Sequence, residues 1–338
     1  MNSRPHRASG PGIGADTGRV LILIGFLGVF GFLMIRREPV TLADQLLTLA
    51  AFLLLASPYL LFSVGRFRNR FRVDSPITLL AIPAGILLAY LLYLAGPGGF
   101  RPGYSLLLVT YIGLPVYLAV RAAGGTALPN RWDWAAAATL YIPVELAMVA
   151  PAWEPAAEHL GDPSHSFTQL TAMNLTLFCF LGVRALPGVG FEFRLGWKDL
   201  KPALVAFVLF FPLAVVIGVA TGFVPFEPHL PDPVEVVGQT LGVLFFVALP
   251  EELLFRGILQ NFLQRILPTP AGRRWALLAA SVLFGLSHLN NRQYFDWRYV
   301  TLATLAGLFY GTVYAKTGKV TASAVTHGLV DIVWRVGF

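Results

Sequence analysis

The sequence predicts an all-α, polytopic transmembrane helix bundle of about eleven spans with its N-terminus in the cytoplasm. Three observations predict it. Hydrophobic residues make up 56% of the 338 and charged residues only 13%, about half of the roughly 25% that a soluble chain spreads over its surface. Apolar stretches recur between polar breaks, near the roughly 20 residues that an α-helix needs to cross the hydrocarbon core. Basic residues sit in short groups between these stretches, denser on alternate sides, as membrane orientation requires. The mean hydropathy of +0.67 agrees. A net charge of +7 could suggest nucleic acid, but such binders gather their basic residues on one folded face or tail. Here they are dispersed, so no nucleic-acid partner is expected.

Residues 1–18, rich in Gly, Pro and Arg, read as a flexible tail. The first span, 20–35, has Arg19 before it and Arg36 and Arg37 after it, with no small-residue cleavage site, so it reads as an anchor and not a removed signal peptide. Spans 46–64 and 77–95 are separated by Arg66, Arg68, Arg70 and Arg72, a topology and anionic-lipid signal. Span 104–120 leads through Arg121 and Arg131 into span 134–150, where Trp132 and Trp134 read as interface anchors. Within that span Glu145 reads as a structural hydrogen-bonding partner, or as one lining a substrate path. Span 167–183 holds the single cysteine, Cys179, which excludes a disulfide framework and a Cys-rich metal site. A lone Cys in an apolar helix is a small packing residue.

Four basic residues from Arg184 to Lys201 precede span 202–224, and spans 234–255, 275–289, 299–315 and 320–334 complete the chain. Asn290 and Asn291 end the helix before Trp297, another interface anchor. With the N-terminus inside, eighteen Lys and Arg fall on inner segments and six on outer ones, Arg256, at the end of span 234–255, being set aside. The loops 151–166 and 225–233 carry neither Lys nor Arg and fall outside. No internal repeat suggests the paired halves of a transporter. The organisation is therefore a tail (1–18), accessory transmembrane helices (19–200) and a second bundle (201–338).

An ionisable side chain inside a span costs roughly 2.5–3.5 kcal/mol at the helix centre, so charges sorted by depth point to function. Among the carboxylates Glu145, Glu251, Glu252 and Asp331, with Glu235 at the first turn of its span, and among the histidines His288 and His327, lie within the spans. All but Glu145 and Glu235 fall after residue 250. Along Pro250-Glu251-Glu252-Leu-Leu-Phe-Arg256, Glu252 and Arg256 are four apart and share a helix face, while Glu251 stands about 100° round the axis. The pairing expected is Glu252 with Arg256, with the Glu251 carboxylate unspent and a kink at Pro250. Phe284 shares a face with His288 and walls the imidazole from lipid. His327 and Asp331 again share a face. Ser287, adjacent to His288, points away from it, so no Ser-His-Asp arrangement competes.

Glu251-Glu252-x-x-x-Arg256, Phe284-x-x-x-His288 and His327-x-x-x-Asp331, in order on successive helices, resemble the three motifs of the CPBP intramembrane proteases, the family of CAAX prenyl endopeptidases and of bacterial Abi or bacteriocin-processing proteins. The resemblance covers residues 240–334 and gives residues 201–338 the expectation of a CPBP-like catalytic bundle. It implies an intramembrane endopeptidase, an integral, multi-pass protein of a bacterial plasma membrane acting on a membrane-anchored protein or peptide. It makes Glu251 the general base that activates water, assisted by His288. His327 and Asp331 then stabilise the tetrahedral oxyanion, and Glu252 and Arg256 hold the helix. Amide hydrolysis needs such a base and a donor aimed at the developing charge.

The family's last motif often ends in Asn, and an ionised Asp cannot donate to an oxyanion. Asp331 is then protonated, or orients the His327 ring, or ligates a metal. No cofactor is expected, with zinc on Glu251, His288 and His327 as the alternative. Two other classes stay open: a non-catalytic immunity or partner-binding membrane protein of the same fold, and a transporter using the buried charges as an ion relay.

Overall fold

The computed structural model describes residues 13–71, 76–126, 128–157, 160–223, 232–290 and 295–337. Among these residues there is no strand, only one antiparallel bridge between Gly98 and Pro155. Eleven long helices run in chain order: α1 (Ile13–Ile35), α2 (Leu42–Leu61), α3 (Pro76–Ala95), α4 (Pro102–Ala123), α5 (Arg131–Glu145), α6 (Ser164–Val183), α7 (Trp197–Ala220), α8 (233–266), α9 (Pro270–Ser287), α10 (Trp297–Thr317) and α11 (Val320–Gly337). Each apolar stretch in the sequence overlaps one of them. Among the described residues six, α1 to α4, α6 and α7, are long and apolar enough to cross a membrane.

Local chemistry fixes the ends. The side chain of Thr41 accepts the Asp44 amide to cap α2, and Asn130 and Asp133 cap each other's backbone at the start of α5. Thr269 before Pro270 starts α9, Asp296 starts α10, and Gly318, at φ 67°, ends it, a left-handed conformation that favours glycine. Two boundaries differ from the sequence reading. Helix α1 begins at Ile13, inside the expected tail, whose first twelve residues lie outside the described ones, as do Arg72 and Asn291. Helix α5 stops at Glu145 and not at residue 150, because the chain turns through Ala147 at φ 52°.

Helices α1 to α6 pack as one bundle and α7 to α11 as another, and α8 touches both. Its Leu249, Leu253, Ile258 and Phe262 are buried with the accessory helices, while Phe255 belongs to a second core with Phe284, Leu302 and Tyr310. The expected kink at Pro250 takes another form. Helix α8 continues through π-helical turns at Leu244–Ala248 and Leu253–Gln260, in which the Leu249 amide reaches the Leu244 carbonyl five residues back. Proline lacks the donor for the turn before it, and accessory side chains serve carbonyls there: the Tyr59 hydroxyl donates to Phe245 O at 3.2 Å, and the His165 ring bonds the Phe246 carbonyl.

The accessory bundle has its own internal tie. Arg184, at the end of α6, donates from Nε to Asp133 Oδ1 at 2.9 Å, and both side chains are buried. Residues 185–196 then strap the ends of α8, α10 and α11 together: Pro187 O accepts from Asn261 and Arg265, and Gly190 O accepts from the Val320 amide. Outside, α7 exposes Val208, Leu209 and Val216, an apolar face suited to lipid.

Helices α9 and α10 approach through small residues. A Cβ on Gly285 would strike Thr304 and stand 2.7 Å from the Val300 carbonyl, and one on Gly307 would stand 3.0 Å from Ser281 Cα. Close approach bares the α10 backbone to α8, where Arg256 Nη2 meets Gly307 O at 3.5 Å and Gln260 Nε2 donates to Gly311 O at 3.1 Å. The four-residue spacing on both helices lets the two donors and two acceptors run in register.

Candidate active site

Glu252 is the best-held group. It is fully buried on α8 and meets three partners: Arg256 Nε at 3.1 Å, His327 Nδ1 at 3.0 Å and the Ser323 hydroxyl. The Arg256 pairing is the one expected from their spacing. The other two were not expected, although Ser323, His327 and Asp331 stand four apart in succession on α11 and share a face. Ser323 is a polar group turned the same way as the histidine, but without a charge it does not stand out in the sequence. Arg256 is itself fully buried, with its guanidinium 4.7 Å from the centre of the Phe284 ring.

His327 is 3% exposed. Its Nδ1 faces Glu252, and its Nε2 lies 3.6 Å from Asp331 Oδ2 and 3.9 Å from Glu251 Oε2. Each of these neighbours is an acceptor, so the ring is arranged to donate. Tyr310 of α10 stacks on it, centroids 4.7 Å apart at 18°, and the edge of Phe284 closes another side at 5.7 Å. Tyr310 gave no signal in the sequence, since an aromatic residue in an apolar helix is ordinarily core.

His288 sits where α9 tightens into a 3-10 turn, His288–Asn290. Its Nδ1 lies 2.8 Å from the Phe284 carbonyl. A carbonyl can only accept, so Nδ1 carries the hydrogen and Nε2 of the neutral ring is left as an acceptor. Phe284 packs against it at 4.8 Å and Tyr299 at 5.0 Å. Ser287 does not point away as helical spacing predicted. The backbone leaves helical geometry at His288 (ψ 5°), and the Ser287 hydroxyl stands 3.3 Å from Nδ1 while donating to Phe284 O at 2.8 Å.

Glu251, His288, His327 and Asp331 all line one cavity of about 340 Å³, whose remaining wall is largely apolar and includes Phe210, Leu302 and Trp334. Phe284 lines it as well, and Glu252 and Arg256 lie behind it. Glu251 is about a third exposed, yet its Oε2 is buried without a hydrogen-bond partner among the described residues. Such an oxygen normally finds a donor. The site thus offers an unsatisfied carboxylate oxygen, an imidazole acceptor and an imidazole donor to one space. Among the described residues no group of three or more His, Cys, Asp and Glu side chains is placed so that it could hold a metal ion. Glu145 lies apart from this cavity, and Cys179 is a buried free thiol.

No curated protein and no solved structure matches the chain. Residues 233–333 match the family model described as type II CAAX prenyl endopeptidase Rce1-like, a range that holds Glu251, Glu252, Arg256, His288, His327 and Asp331. This segment is therefore similar to the Rce1-like domains of the CPBP/CAAX protease family.

Proposed function

We propose that the protein is an intramembrane endopeptidase that hydrolyses a peptide bond of a membrane-anchored protein or peptide, with a glutamate-activated water. The observation that carries the reading is the convergence of Glu251, His288 and His327 on one apolar-walled cavity inside a domain of this family. Glu251 takes a proton from water while Nε2 of His288 accepts its other hydrogen. The hydroxide adds to the scissile carbonyl, and the oxyanion forms facing His327, whose ring is fixed by Glu252 at one nitrogen. Collapse breaks the C–N bond, and Glu251 passes the proton to the leaving amine. Asp331 orients the His327 ring. Removing one well-aimed oxyanion donor typically costs about 10²–10³ in rate.

The apolar wall suits a lipid-modified or membrane-embedded segment. The excess of basic residues on alternate loops supports an N-terminus inside a bacterial plasma membrane, with all eleven helices embedded. The test compares cells making the wild-type protein with cells making Glu251→Gln, by mass spectrometry of membrane-protein termini. The expected outcome is at least one terminus that stays unprocessed only in the variant. Unchanged processing by Glu251→Gln overturns the reading.

A further inference from the structure

A second compartment, of about 120 Å³, lies on the other side of Glu251 and His288, between α5, α6, α8 and the end of α9. Glu251 and His288 line both spaces. The accessory side of the second one is polar in a region where polarity is costly: Tyr141 and Glu145 from α5, Gln169 and Thr176 from α6. Tyr141 and Glu145 are four apart and share a face. Tyr141, Glu145 and Ser287 line this second space together, and Ser287 stands 3.3 Å from His288 Nδ1. The Tyr141 ring is held edge-on against Phe255 at 5.9 Å, and Phe255 against Phe284 at 5.1 Å. A run of polar groups therefore leads from the last residue of α5 to the catalytic imidazole.

We propose that the accessory helices complete the hydrolytic site from behind: the compartment delivers water to Glu251 and His288, and Tyr141 and Glu145 are positioning residues that steady His288 through Ser287. This rests on the protease reading above. The volume holds several waters, and its polar lining offers the two to four partners that each needs. The division of labour is physical. The larger cavity receives the substrate segment, which blocks that approach, so the second reactant reaches Glu251 from the opposite side.

Two measurements on the full-length protein in liposomes test it. In a Cys179→Ala background, Ala172→Cys and Thr176→Cys report on the compartment and Ala137→Cys, in the buried core, on a dry position. A charged methanethiosulfonate reagent is expected to modify the first two at least tenfold faster than the third. Equal rates overturn the inference, whatever the state of the proteolysis experiment. With an internally quenched prenylated CAAX peptide, Tyr141→Phe and Glu145→Gln are expected to lower kcat about tenfold at unchanged KM and Tm. A merely structural tie moves Tm instead, and that result also overturns it. Loss of the protease reading shows separately, as peptide cleavage that survives Glu251→Gln or as no cleavage by the wild type, and the labelling rates then decide whether the compartment is wet.

Discussion

Arg256→Met tests whether Glu252 is held as a charged hub. In the native protein both side chains are fully buried, 3.1 Å apart, and removing one member of a buried pair costs roughly 3–5 kcal/mol because the other charge is left uncompensated. Glu252 keeps Ser323 and His327, so the loss should fall at the low end, about 3 kcal/mol. Met fills similar space against Phe284, and its sulfur returns part of the contact the guanidinium made with that ring. At about 2 °C per kcal/mol for a long chain, Tm should fall by roughly 6 °C. Adding Glu252→Gln removes the stranded charge, so the double variant should lose less than the sum of the two single losses, by about 1–2 kcal/mol. The assay is thermal unfolding of the purified protein followed by tryptophan fluorescence. A Tm of Arg256→Met equal to wild type, or strictly additive losses, would refute the account of Glu252 as a carboxylate neutralised by Arg256.

Two further outcomes follow from the packing. If Asp331 works by holding the His327 ring, Asp331→Asn should keep cleavage within about threefold of wild type, while Asp331→Leu frees the ring and loses about 100-fold, the scale of a misplaced catalytic group; equal loss in both variants, measured with the quenched peptide, points to a charge on Asp331 as the requirement. Gly285→Ala should lower stability by about 1–3 kcal/mol, because its Cβ meets a backbone carbonyl as well as Thr304, and a wild-type Tm would show that α9 and α10 are not closely seated there.

The residues that stood out in the sequence did so by contrast. A carboxylate or imidazole in an apolar helix is conspicuous because burial makes it costly, and Glu251, His288 and His327 were visible on that ground alone. Pairing within one helix was also legible, since spacing of four fixes Glu252 beside Arg256. Contacts between helices were not. Glu252 bonding His327 from α11, or Tyr310 stacking on that ring, depends on how α8, α10 and α11 cross, and helical periodicity in a chain apolar all round gives no preferred face to read. Backbone departures were hidden for the same reason: the π-turns around Pro250 and the tightened turn at His288 are set by neighbours, and the latter brings Ser287 back to the ring that spacing had turned it from. Glu145 was visible as a buried charge, but the compartment it shares with Ser287 depends on where α5 and the end of α9 lie relative to α8.

What joins these observations is the double role of α8. One face, with Leu249, Leu253 and Phe262, is buried against the accessory helices, and the other carries Glu252 and Arg256 into the second bundle. The π-turns on both sides of Pro250 change which residues fall on which face, because each adds a residue to a turn, and Glu251 lies between them, at the seam of two cavities. The Tyr59 and His165 contacts at Phe245 and Phe246 lie five or six residues before Glu251. The accessory bundle therefore grips the backbone that aims the proposed base. A helix anchored this way cannot turn about its axis without breaking those bonds, so the direction of Glu251 depends on residues far outside the Rce1-like segment.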